Sequence, residues 1–77
     1  MTAPRLSFVT LEEQLERRHG RRLTNEELAA LLHVKRLRII RMRASGIQLS
    51  DADKYAVAAG FHPSSIWGLD WWKYKEN

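Results

Sequence analysis

The chain has 77 residues, no cysteine and a net charge of +4. A single domain of that size buries only about 60% of its unfolded surface, and without cysteine it has neither a disulfide nor a thiolate zinc site to support it. No apolar run approaches the roughly 18 residues that span a bilayer, and nothing at the start reads as a secretory leader, so a soluble cytoplasmic domain away from membranes is expected.

Taken in chain order, Pro4 and its polar neighbours read as a flexible arm over residues 1–6. A first helix follows from about residue 8 to 19, with Phe8, Leu11 and Leu15 on one face. Thr10 and Glu13 have capping-box spacing, and Ser7 is the alternative cap. Gly20 suits a left-handed end to this helix. In "LTNEELAALL", Thr24 caps a second helix, with Glu27 three residues on as its reciprocal partner. Glu26 and Glu27 occupy the first turn, where the helix dipole favours anions. Leu28, Leu31 and Leu32 form its apolar stripe, and the helix ends near Leu32. After the tight link "HVK", a third helix runs from about Lys35 to Ala44, stopped by Ser45-Gly46.

"IQLSDADKYAVAAG" repeats the pattern. Ser50 is the expected cap of a fourth helix, Asp51 and Asp53 its first turn, Tyr55, Ala56 and Ala59 its inner face, and Gly60 its end. Pro63 opens a fifth short helix in "FHPSSIWG", where Trp67 fills core space beside Ile66 and Phe61. Residues 68–77 form an aromatic-rich tail. No stretch alternates as a strand should, and no Asn-Gly hairpin signal is present. The expected fold is all-α, with about five short helices around one core in a single domain spanning 1–77.

The third helix is unusual. Residues 17–43 carry nine cations against Glu26 and Glu27, a net +7, whereas residues 1–16 net −2 and residues 44–77 net −1. A localised positive field of this kind points to a polyanion partner; the alternative is a solvated helix face. On a wheel of 100° per residue, Val34, Ile39 and Met42 turn towards the core. Leu37, Ile40 and Arg41 turn away from it, with Arg36 and Arg43 on one flank and Arg38 on the other. A B-DNA major groove asks for this arrangement: phosphate walls for the flanking arginines, and a floor of base edges and thymine methyls on which Leu37 and Ile40 can pack. The alternative is that Leu37 and Ile40 pack against the N-terminal arm or a second subunit.

"LTNEELAALLHVKRLRIIRMRASG" resembles the helix-turn-helix of the lambda repressor/Cro-like (XRE-type) family. The matching positions are Thr24, Glu26-Glu27-Leu28-Ala29, Val34, Ile39, Met42 and Gly46. "YAVAAGFHPSSIWG" is similar to the segment that follows in that family. The "HPSSIWGLDWW" ending resembles small members from actinobacteria and their phages. The resemblance covers roughly residues 21–72. It implies a small sequence-specific regulator of transcription that binds double-stranded DNA, a repressor or Cro-like protein of phage or prophage type that occludes a promoter. By the same resemblance Thr24, Asn25, Lys35, Arg38 and Arg43 would lie along the DNA backbone, and Arg36, Leu37, Ile40 and Arg41 would face bases. Three positions depart from the family. His33 stands where the turn usually has glycine, and so is expected to do without easy positive φ. Leu37 replaces a polar base reader. Ser45 adds a residue before Gly46.

Trp71 and Trp72 are adjacent and point about 100° apart on a helix, so one is expected to dock on the domain. The other would anchor a homodimer or a protein partner, or fold back onto the first helix. A dimer would set two third helices about 34 Å apart on a palindromic site. The rival class is a protein-interaction module, and an excision or architectural factor of a mobile element remains within the DNA-binding class. His19, His33 and His62 are dispersed without ligand spacing, and no nucleophile elbow or Gly-rich loop occurs. No catalysis, cofactor, metal or small-molecule substrate is therefore expected.

Overall fold

Ser7 starts the first helix. Its extended backbone turns the chain, and its hydroxyl accepts from the Thr10 N–H at 3.3 Å, so Ser7, not Thr10, caps α1 (Phe8–His19). The computed structural model describes residues 5–75; the first four residues of the expected arm and the last two of the tail lie outside that range. Phe8, Leu11 and Leu15 are buried on one face of α1, and Gly20 closes it in a left-handed conformation.

In α2 (Asn25–Leu32) the expected capping box is complete. The Glu27 N–H donates to Thr24 Oγ1 at 3.2 Å, and the Thr24 N–H donates back to Glu27 Oε1 at 3.0 Å. This satisfies two otherwise orphaned donors. Leu28, Ala29 and Leu32 are buried. The turn out of α2 corrects one expectation: His33 does adopt positive φ, at 58°, the one non-glycine among the described residues to do so. The helix is closed by bonds from the Val34 N–H to the Ala29 carbonyl (2.9 Å) and from the His33 N–H to the Ala30 carbonyl. These fix a left-handed residue between α2 and α3 (Arg36–Ser45) whatever side chain occupies it.

Ser45 extends α3 by one turn position, and Gly46 ends it at φ 81°. The next feature overturns the expectation of no strand. Arg5–Leu6 (β1) pairs antiparallel with Ile47–Gln48 (β2), Arg5 opposite Gln48 and Leu6 opposite Ile47. Arg5 and Leu6 therefore belong to the fold rather than to an arm. A two-residue strand is too short to show alternation; it forms because Leu6 and Ile47 are both buried in the common core. Gly46 is required beside it, since a Cβ there would lie 3.0 Å from the Leu6 carbonyl oxygen and 3.2 Å from Arg5 Cβ.

The ladder also moves the next helix start. α4 (Leu49–Ala58) begins directly after β2, with Gln48 and not Ser50 at the cap position. Asp51 is in its first turn, and Ala52, Tyr55 and Ala56 face inward. Pro63 opens α5 (Pro63–Trp67), whose cap is the His62 ring nitrogen accepting from the Ser64 N–H. Trp67 Nε1 donates to the Ser7 carbonyl at 2.9 Å, which ties α5 to the start of α1. The expected tail then forms a sixth helix, α6 (Leu69–Lys75), because buried Trp71 docks it on the core. The described fold is all-α apart from the small ladder, with Leu11, Leu28, Ile39, Ala52 and Ala56 at its centre. Each such leucine or isoleucine contributes about 1.5–3 kcal/mol by burial.

A left-handed conformation costs a residue with a side chain about 1–2 kcal/mol, more than the roughly 0.4–1 kcal/mol of extra unfolded-chain entropy that glycine brings. His33→Gly is therefore expected to stabilise the protein by about 0.5–1 kcal/mol, read as a higher urea midpoint at unchanged slope. An unchanged or lower midpoint would mean that the histidine side chain offsets its own strain.

Candidate nucleic-acid interface

α3 has two faces. Ile39 and Met42 are buried against the core, whereas Leu37 is 56% and Ile40 43% exposed. Arg36, Arg38, Arg41 and Arg43 are all on the exposed side of the burial boundary, but they do different work.

Arg43 is committed inside the protein. One guanidinium nitrogen reaches Glu12 Oε1 of α1 at 2.5 Å, and the other donates to Asn25 Oδ1 at the start of α2 at 2.8 Å. The guanidinium also lies 5.3 Å from the centroid of the Phe8 ring, within cation–π range. The Glu12 hydrogen bond raises the Arg43 pKa above its ordinary value, outweighing the opposite effect of burial. The same network occupies the Asn25 side-chain oxygen. The Thr24 hydroxyl is likewise occupied, by its cap bond. Three of the five residues that the resemblance would set along a DNA backbone (Thr24, Asn25 and Arg43) thus have partners within the protein.

Arg36 meets Glu26 at 3.3 Å, with both side chains largely exposed. Such a pair is worth about 0–1 kcal/mol and opens readily. Arg18 donates to the Ala59 carbonyl at 2.9 Å, and its guanidinium lies 4.3 Å from the centroid of the Phe61 ring. It closes the C-terminal end of α4, where the dipole favours a cation. Arg21 forms a two-point ion pair with Glu27. That pair, and then the Thr24 backbone bond, hold the Glu27 carboxyl at about 2 against an ordinary 4.5.

Three cations of α3 and its cap are left: Lys35, Arg38 and Arg41. Among the described residues their side chains make no hydrogen bond or ion pair. They recur every three residues and so share one flank. With Val34 and Leu37 they line an open groove of about 330 Å³. Neighbouring like charges on a helix destabilise it by about 0.2–0.5 kcal/mol per pair. The cation-rich start of α3, with no acidic residue in its first turn, also opposes the helix dipole. The Arg36–Glu26 pair offsets this only at one position, so the flank of Lys35, Arg38 and Arg41 breaks a local rule without a compensating side-chain contact among the described residues.

The sequence alone does not single out Arg5. The β1–β2 pairing sets it at the same flank, in a second cleft of about 320 Å³ that it lines with Arg38 and Arg41. The signal available was the Leu6–Phe8 spacing, which hints at structure ahead of α1. The sequence does not single out Glu12 either, although that residue falls one turn after Phe8.

At the opposite end, Trp71 is buried. Trp72 is 44% exposed and stacks on His62 with ring centroids 6.2 Å apart. Among the described residues no three His, Asp or Glu side chains gather to hold a metal, and no helix is long and apolar enough to cross a membrane. Compared with family models, with curated proteins and with solved structures, the chain matches none.

The division of the arginines is testable by stability alone. Arg43→Met removes a charge-assisted bond and leaves Glu12 and Asn25 without their partner, so it is expected to lose about 1–2 kcal/mol. Arg38→Met and Arg41→Met are expected to change stability by less than about 0.5 kcal/mol. Urea unfolding of the three variants checks this; equal losses would contradict the division.

Proposed function

We propose that the protein is a sequence-specific regulator that binds double-stranded DNA, resembling small repressors and Cro-like proteins of the helix-turn-helix type, and that α3 is its recognition helix. The observation that carries the reading is the unpaired stripe of Lys35, Arg38 and Arg41 beside exposed Leu37 and Ile40. A B-DNA major groove, about 12 Å wide, admits one helix and offers phosphates to the first set and thymine methyls to the second. In this reading Lys35 and Arg38 meet phosphates, Arg41 reads a base, and Leu37 and Ile40 pack on methyl groups. Arg36 joins the readers once it leaves Glu26. Arg43 and Asn25 act by holding α3 against α2, and Thr24 by capping α2. In this reading the protein occludes a promoter in the bacterial cytoplasm. A homodimer on a palindromic site fits the same reading.

A second reading rests on the other end of the molecule. Leu69 and Trp72 are exposed apolar side chains on α6, and such residues suit an interface with a protein partner, whether an accessory factor of a mobile element or a second copy. Binding of that kind would depend on Trp72 and respond weakly to salt.

Selection from random duplexes at about 150 mM salt tests the first reading, since non-specific attraction is already weakened there. A defined motif is expected. On that motif, Arg41→Ala should weaken binding about 5- to 150-fold while changing random-sequence binding much less. Lys35→Ala should weaken both alike and lower the salt slope by about one. No motif above background would remove the reading.

A further inference from the structure

We propose that the cleft between the end of α3, the β1–β2 ladder and the start of α4 is a seat for a phosphate group, held by Arg5 together with Arg38, with Arg41 at its edge. Three observations converge. Arg5, Arg38 and Arg41 line one cleft of about 320 Å³. None of the three makes an ion pair or side-chain hydrogen bond with a described residue, unlike Arg18, Arg21, Arg36 and Arg43. The one carboxylate lining the cleft is Asp51, which leaves a net charge of +2. Guanidinium groups match phosphate oxygens in charge and in planar donor geometry.

Arg5 is delivered there by structure. Side chains alternate along a strand, so burying Leu6 turns Arg5 outward beside α3. Its Cβ and Cδ pass within 3.2 and 3.9 Å of where a Gly46 Cβ would stand, so the glycine leaves room for the arginine to cross. The short ladder thus carries an N-terminal cation to the edge of the proposed recognition surface.

The phosphate has two sources of the same chemistry: the backbone of a nucleic acid, which rests on the DNA-binding reading, and a free phosphoryl anion, which does not. Two arms separate them. In the first, duplex binding is followed by fluorescence anisotropy from about 50 to 200 mM salt for the wild type, Arg5→Gln and Arg5→Lys. The glutamine variant is expected to bind about five- to ten-fold more weakly at 100 mM salt with a salt slope lower by about one, and the lysine variant to keep the wild-type slope. Both should unfold at the wild-type urea midpoint. In the second arm, inorganic pyrophosphate is titrated while the arginine Nε–H signals are followed by NMR; the expected result is shifts of Arg5, Arg38 and Arg41 that Arg5→Gln weakens.

A response in the first arm alone identifies nucleic-acid backbone, a response in the second alone a free phosphoryl anion, and responses in both a general phosphate seat. Wild-type duplex binding that Arg5→Gln leaves unchanged, together with no pyrophosphate shift, overturns the seat while the DNA-binding reading stands. No duplex binding by the wild type overturns that reading, and the pyrophosphate arm alone then decides the seat.

Discussion

The bond network of Arg43 is the constraint on which the rest of the surface depends. One guanidinium joins Glu12 of α1 to Asn25 of α2 while sitting at the end of α3. It closes a triangle of three helices with charge-assisted bonds, which are roughly twice as strong as neutral ones. Because those helices meet at one cation, α3 cannot rotate about its axis without breaking the network. Its opposite flank, with Lys35, Arg38 and Arg41, is thereby held outward. Packing alone specifies this less well: an α3 with only Ile39 and Met42 buried has a narrow apolar stripe, and narrow stripes fix rotation weakly.

The cations of this chain divide into two populations that composition cannot separate. Arg18, Arg21 and Arg43 stabilise helix ends or helix junctions, and Arg36 is held loosely by Glu26. The side chains of Lys35, Arg38, Arg41 and Arg5 make no ion pair or hydrogen bond among the described residues. The net +7 of the central segment therefore overstates the charge available to a partner. Arg17 and Arg22 in that segment are also unpaired among the described residues but lie outside the clefts; Lys35, Arg38 and Arg41, with Arg5, form a group around two adjoining clefts that share Arg38 and Arg41. In the proposed function that group, rather than the whole segment, meets the polyanion.

Local rules made the helices legible. The capping box at Thr24, the proline opening α5 and the apolar spacing of α1 each act within a few residues, and each element appeared where those signals lay. Long-range packing hid the rest. Leu6 and Ile47 pair across more than half of the chain and displaced both the expected arm and the expected cap at Ser50. α6 exists because Trp71 finds a place on the core, a fact that no local pattern in "LDWWKYK" carries. At the candidate site the wheel was enough to set Leu37, Ile40 and Arg41 outward. It was not enough to tell a free arginine from a bonded one, since Arg43 is satisfied by Glu12, 31 positions away. His33 shows the same limit in reverse: its sequence argues against positive φ, and the closure of α2 imposes it.

In the proposed function α3 presents its unpaired flank to DNA. The most direct measurement is the pattern of backbone amide shifts when a duplex of about 20 base pairs, two helical turns, is added to isotope-labelled protein. Shifts are expected to concentrate from Val34 to Ser45, at the start of α2, and at Arg5, with α5 and α6 little changed. Shifts centred on His62, Leu69 and Trp72, or none at all, would contradict the proposed function.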